Sequence, residues 1–222
     1  IGELCCKHHV LVLSDEIHCD ITRPGTEYIP FASVSEHCKN NSITCVAPTK
    51  TFNLAGIQTA AVIVPDAVLR HRVNRGLNTD EVAEPNVFAA IAPIAAFDRG
   101  REWLEELREY LWENRKAAEA FIREEIPQLR TVSADATYLL WIDCNALPGN
   151  LADLVDFIRK ESGLFVCDGR EYGNGYGFLR MNLACRRELL KEGLKRLKEG
   201  ISAYQKADIN TQSFAKKCEK MT

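Results

Sequence analysis

Ala47-Pro48-Thr49-Lys50-Thr51-Phe52-Asn53-Leu54-Ala55-Gly56 sets a lysine just after an apolar strand and just before a glycine-bearing turn. The strand is the β-rich run Ser42-Ile43-Thr44-Cys45-Val46, whose end delivers Lys50 to the rim of a sheet. In open α/β sheets ligands bind outside the carboxyl ends of the strands. A lysine held there, partly desolvated, can lose its proton and attack an aldehyde as a free amine, forming a Schiff base. The other reading is a solvated lysine at a strand end, the ordinary condition of that side chain.

Two further segments bear on that choice. Val10-Leu11-Val12-Leu13-Ser14-Asp15-Glu16-Ile17-His18 is an apolar run ending in an acid, as a buried parallel strand would. Asp15 and Lys50 are then expected at the same end of neighbouring strands. Downstream, Gly177-Phe178-Leu179-Arg180-Met181-Asn182-Leu183 is a short strand with an arginine embedded among apolar residues. Lysine, aspartate and arginine in this order form the working set of a pyridoxal phosphate (PLP) enzyme acting on an amino acid. The lysine holds the cofactor, the acid keeps the pyridine nitrogen protonated, and the arginine grips the substrate carboxylate.

The whole chain bounds these expectations. Its 222 residues suffice for one large domain or two modest ones. It is 46% hydrophobic and 27% charged, with no apolar run long enough to span a bilayer. A net charge of -3 supplies no basic field for nucleic acid. The implied partner is therefore a small molecule, with neither nucleic acid nor membrane. Nine cysteines are scattered with no C-x-x-C pair, which supports neither a zinc ribbon nor a redox motif. Several lie in apolar strands, where a free thiol behaves as a small hydrophobe, and this points to reducing cytoplasm. The opening Ile1-Gly2-Glu3-Leu4-Cys5-Cys6-Lys7-His8-His9 has no initiator methionine and no signal-peptide pattern. It reads as the last turns of a helix, and the chain is expected to be the C-terminal part of something longer.

Strand and helix alternate up to about Phe97: a strand at 10–14, a helix at 33–40, and strands at 42–46 and 59–64. Pro65-Asp66 starts a helix that runs to Leu77, and a second helical stretch is expected over 84–96, punctuated by Pro85 and Pro93. Such alternation predicts a mostly parallel or mixed α/β sheet flanked by helices. Asp98-Arg99-Gly100 breaks the pattern. The longest helix is expected from about 101 to 125, ended by Pro127, with Leu104, Leu107, Leu111, Ala118 and Ile122 at helical spacing. Beyond it the pattern turns α+β: strands at 137–143, 164–167 and 178–184, a helix at 151–161 closed by Gly163, and a helix from 187 to about 204. The polar tail after Lys206 is expected to pack loosely.

Asp15-Glu16-Ile17-His18-Cys19-Asp20, the Thr49-to-Gly56 segment and Gly177-to-Asn182 together resemble the fold-type I PLP enzymes of the class I/II aminotransferase group. Within that group they are most like the MalY/PatB, cystathionine β-lyase-like branch. The likeness runs from residue 1 to about 205. The motifs stand in the right order, with 35 residues from Asp15 to Lys50 and 130 from Lys50 to Arg180. The resemblance implies an aspartate aminotransferase-like fold. Residues 1–98 would be the C-terminal part of the PLP-binding large domain, and 99–222 a small C-terminal α+β domain opening with the interdomain helix. It implies that Lys50 forms the Schiff base and shuttles protons, that Asp15 pairs with the pyridinium, and that Arg180 binds the α-carboxylate through two parallel hydrogen bonds. His18 stands where many aminotransferases carry a tyrosine on the cofactor's phenolate oxygen; a packed polar residue under the site is the alternative. Thr49 would offer its hydroxyl to the phosphate. Gln58 stands where many aminotransferases have a phosphate-binding arginine, a departure that fits the C–S lyase branch better.

The implied activity is β-elimination to thiol, pyruvate and ammonia, with transamination as the alternative, since both use the same three residues. The resemblance also implies a homodimer and an N-terminal half bearing a phosphate cup and a stacking aromatic, neither of which precedes Asp15. A chain lacking that half would be a catalytically incompetent remnant or interaction module. Three other features carry little. Gly173-Asn174-Gly175-Tyr176-Gly177 opens no helix and reads as a turn. His8, His9 and His18 lack supporting ligand spacing, so no metal is expected. Trp103, Trp112 and Trp141 read as core or lobe-interface residues.

Overall fold

The structure, a computed structural model, describes residues 1–219, with side chains through 207. The chain divides into two compact units, Ile1–Glu109 with Asp135–Thr137, and Tyr110–Ala134 with Tyr138–Thr222.

The first unit carries helix α1 (Gly2–Lys7), strand β1 (Val12–Asp15), helix α2 (Glu36–Asn40), strand β2 (Ser42–Val46), a single helical turn α3 (Pro48–Thr51), strand β3 (Ala61–Ile63) and helices α4 (Ala67–Thr79) and α5 (Ile91–Arg99). β1 and β2 pair in parallel and β3 joins β2 antiparallel. The Asp66 carboxylate caps α4 by accepting from Leu69 N at 2.7 Å, as the Pro65-Asp66 start signal predicts. α5 begins later than expected, at Ile91. Pro85 keeps the preceding stretch out of helix, while Pro93 falls in the first turn, where its missing N–H has no helical partner to lose. β1 also departs from expectation: Leu13 is 66% exposed, and Val10 and Leu11 lie outside the strand and are exposed. Among the described residues of this unit the buried hydrophobics are only Ile21, Cys38, Ala47, Val64 and Ala89.

Helix α6 (Arg101–Glu125) has the expected bounds, and the division between units falls inside it. The second unit adds β4 (Arg130–Thr131), β5 (Leu139–Asp143), α7 (Leu154–Ser162), β6 (Cys167–Asp168), β7 (Phe178–Asn182) and α8 (Arg187–Glu219). The sheet order is β4-β5-β7-β6, antiparallel throughout. α8 continues past the expected end near Tyr204 and is longer than α6, which was expected to be the longest helix. How the side chains after Lys206 pack lies mostly outside the described residues.

Alternation decides which sheet face is covered. Leu140 and Ile142 of β5 and Leu179 and Met181 of β7 are buried with Ala118 and Ile122 of α6, Leu154 and Ile158 of α7, and Leu194, Leu197 and Ile201 of α8. The residues between them, Trp141 and Arg180 among these, point to the other face. The loop before β7 closes tightly: a Cβ on Gly169 would collide with the Gly175 carbonyl oxygen, and one on Gly175 with the Gly169 carbonyl. Only glycine fits there, and the glycine-rich segment is a turn.

Two polar residues inside α6 have no counterpart in the apolar pattern. Asn114 is fully buried and its Nδ2 donates to Leu183 O at 2.9 Å and Cys185 O at 3.0 Å, tying the helix to the exit of β7. Arg115, 2% exposed, donates from Nη2 to Leu139 O at 2.9 Å. Replacing Asn114 with leucine keeps the branched shape but removes both bonds, leaving Cys185 O without this donor while Leu183 O retains Cys185 N at 2.9 Å. Urea denaturation is expected to register a loss of about 2 kcal/mol or more.

Candidate active site

Parallel pairing of β1 with β2 sets Asp15 opposite Cys45, with Glu16 N donating to Cys45 O at 2.8 Å. Both strands therefore end at one edge. Asp15 is the last residue of β1, and Lys50 lies five residues beyond Cys45 on α3. Proline at the first position of α3 presets the turn, and Phe52 N closes it on Pro48 O at 2.8 Å. Asn53 and Gln58, with φ of 53° and 51°, bend the chain away at either end of the Ala55–Ile57 turn.

Asp15 is exposed, and its Oδ1 accepts from Ile17 N at 3.2 Å. His18, in the following turn, and Thr49, on α3, are half-buried. Lys50 is exposed, where partial desolvation was expected, because its neighbours Asn53, Ala55 and Gly56 are themselves exposed and do not cover it. Gln58 is exposed as well.

What holds this edge together lies beside the motif residues. Thr51 is fully buried and its hydroxyl donates to Asp20 Oδ2 at 3.0 Å, joining the lysine-bearing turn to the loop that follows Asp15. Glu16 is also buried; its Oε1 accepts from Ser14 Oγ at 2.9 Å and Phe31 N at 3.0 Å. Arg108 grips the same loop, donating to Thr22 O at 3.1 Å, Thr22 Oγ1 at 2.8 Å and Thr26 O at 3.2 Å. Phe52 stacks on Trp103, with centroids 5.8 Å apart, and meets Phe97 edge-on at 5.3 Å. Trp103 is 46% exposed, which excludes the core, one of the two positions (core or lobe interface) expected of it. Sequence reasoning missed Glu16, Asp20 and Thr51; their adjacency to Asp15 and Lys50 was the available signal.

The buried carboxylate affects its neighbours. Burial, then the charges of Asp20 and Glu16, push the Cys19 thiol up to about 11. Burial and the Glu16 carboxylate push the Tyr28 phenol up to about 12.

Arg180 belongs to the second unit, half-buried on the central strand β7, and its guanidinium lies over the Tyr172 ring, 3.9 Å from the centroid. Among the described residues no group of three or more His, Cys, Asp or Glu is placed to hold a metal ion. No described helix is long and apolar enough to cross a membrane.

The first unit thus carries a primary amine and a carboxylate at one strand edge, and the second unit carries an arginine on its own sheet. The family model described as aminotransferase class I and II matches residues 1–197, and the chain belongs to that family. It is 40% identical over 203 residues to cystathionine beta-lyase PatB of Bacillus subtilis, covering 91% of this chain and 52% of that protein. It is 30% identical over 207 residues to protein MalY of Escherichia coli, covering 92% and 52%. Cystalysin of Treponema denticola, whose crystal structure contains a pyridoxal 5'-phosphate cofactor, superposes with a TM-score of 0.82 at 27% identity, covering 91% of this chain and 52% of that one. The chain spans about half the length of the curated relatives it matches.

The raised Cys19 value fixes a pH dependence. The folded state keeps a proton that the unfolded chain releases above the ordinary thiol value of 9.0, so this contribution is intact below pH 9 and is lost as pH rises toward 11. Urea unfolding followed from pH 7 to pH 11 is expected to show a shallower alkaline loss for Cys19→Ser than for the wild type.

Proposed function

We propose that these residues belong to a PLP-dependent C–S lyase that cleaves a sulfur amino acid of the cystathionine type into thiol, pyruvate and ammonia. The observation that carries this is the shared edge of β1 and β2, with Asp15 closing one strand and Lys50 just beyond the other. The 40% identity to a cystathionine beta-lyase favours elimination over transamination.

The donor set fits PLP group by group. The Lys50 amine suits its aldehyde, and the Asp15 carboxylate suits its ring nitrogen. The His18 imidazole can donate to its phenolate oxygen and the Thr49 hydroxyl to its phosphate. When bound, PLP supplies a sink for the electron pair left at the substrate Cα. Lys50 Nζ takes the Cα proton, acting as a general base, and returns a proton later as a general acid. The Asp15 carboxylate holds a proton on the ring nitrogen by charge–charge attraction. Arg180 binds the α-carboxylate through two parallel N–H donors, a geometry that lysine cannot match.

In this reading residues 1–98 are the C-terminal part of the PLP-binding domain and 99–222 the small domain. The protein works as a homodimer on a small amino acid in the cytoplasm; eight described cysteines, all free, support a reducing compartment. Transamination is the second reading, favoured by the family to which the chain belongs.

The complete protein, loaded with PLP and reduced with borohydride, is expected to carry a stable adduct mapping to Lys50, and Lys50→Ala to carry none. Lys50→Ala is further expected to lower pyruvate release from cystathionine by roughly 10²- to 10⁴-fold. Formation of a keto acid without release of ammonia would establish the transaminase instead, and an adduct elsewhere would overturn the lysine assignment.

A further inference from the structure

The surroundings of Arg180 are set by strand register. In β7 it is the direct cross-strand partner of Trp141 on β5 and of Cys167 on β6, so all three side chains share the sheet face opposite the helical layer. Tyr172 closes this group. It ends the turn Gly169–Tyr172, which is capped by Asp168 accepting from Arg170 N at 2.8 Å and braced by Arg170 Nε on both Asp168 oxygens, at 3.1 and 3.0 Å. The Tyr172 ring packs edge-on against Trp141, with centroids 5.6 Å apart at 84°. The Arg180 Cζ sits 3.9 Å above the Tyr172 ring centre, and its Nη2 donates to Cys167 Sγ at 3.6 Å.

We propose that Tyr172, assisted by Cys167, is a positioning residue that fixes the plane of the Arg180 guanidinium for an incoming amino-acid carboxylate. The proposal rests on the assignment of Arg180 as the carboxylate ligand. An arginine side chain has many rotamers, and bidentate recognition requires the planar fork to be held in one of them. An aromatic face attracts the cation while leaving the N–H edge open to an anion. A neutral thiol is a weak acceptor, so Cys167 orients Nη2 without neutralising it. An aspartate at that position would occupy the fork and compete with substrate. Trp141 packs edge-on against the Tyr172 ring, so the ring is itself held.

Two measurements test this. In the NMR spectrum of the complete chain, the Arg180 side-chain protons are expected to be shifted upfield by the ring beneath them. Tyr172→Phe retains that shift and Tyr172→Leu abolishes it. In the PLP-loaded complete protein, 2-aminoisobutyrate (an amino acid with no α-proton to lose) is titrated by the change in cofactor absorption. Binding by Tyr172→Leu is expected to weaken about twofold to fivefold, and Tyr172→Phe to restore it. If Arg180→Leu binds the probe as the wild type does, the carboxylate assignment itself fails. If Arg180→Leu loses binding while Tyr172→Leu matches the wild type, or if Tyr172→Phe is as impaired as Tyr172→Leu, the positioning role is overturned.

Discussion

The pairing of β1 with β2 is the constraint on which the first unit's candidate site depends. Parallel strands run from a common start to a common finish, so the residues following each strand emerge at one edge whatever their separation in sequence. The bonds from Val12 N to Asn41 O and from Glu16 N to Cys45 O set the register, and that register brings the ends carrying Asp15 and Lys50 to the same side. A shift of one residue would turn every side chain of β1 to the opposite face. Glu16 and Thr51 consolidate the arrangement from within, one by satisfying the loop backbone and the other by reaching Asp20.

The second unit solves a different problem. Its antiparallel sheet buries one face against three helices and leaves the other polar and aromatic, so Arg180 needs no burial to remain in place. Cross-strand neighbours and a stacked ring restrain it instead. The two polar groups inside α6, Asn114 and Arg115, serve the same sheet by binding the carbonyl of the residue that follows β7 and that of the first residue of β5. Buried polar side chains of this kind fix where a helix sits along a sheet, which apolar contacts alone leave loosely determined.

Much of this was legible beforehand. The bounds of β2 and α6 follow from a short β-branched run and from an amphipathic pattern set off by Asp98-Arg99-Gly100 and ended by Pro127. The start of α5 was not legible, because Pro93 reads as an interruption until its place in the first turn is known. The strand expected at 164–167 is only Cys167–Asp168, and β4 was not expected at all, since two residues carry too few side chains to show any periodicity. The exposure of Leu13 and Lys50 escaped sequence reasoning for a common reason: an apolar run or a lysine at a strand end does not record what lies across from it.

The sequence by itself determined the residue types of the candidate site, their order, the strand or turn that carries each, and the family. Local propensity, proline and glycine placement and motif spacing are written within short windows, and such windows suffice for these features. Tertiary structure alone decided that Asp20 supports Thr51, that Glu16 is buried while Asp15 is not, and that Tyr172 lies beneath Arg180. Each depends on a pairing between segments that are remote in the chain or on opposite sides of a turn. Strand register and packing set those pairings, and no local pattern encodes them.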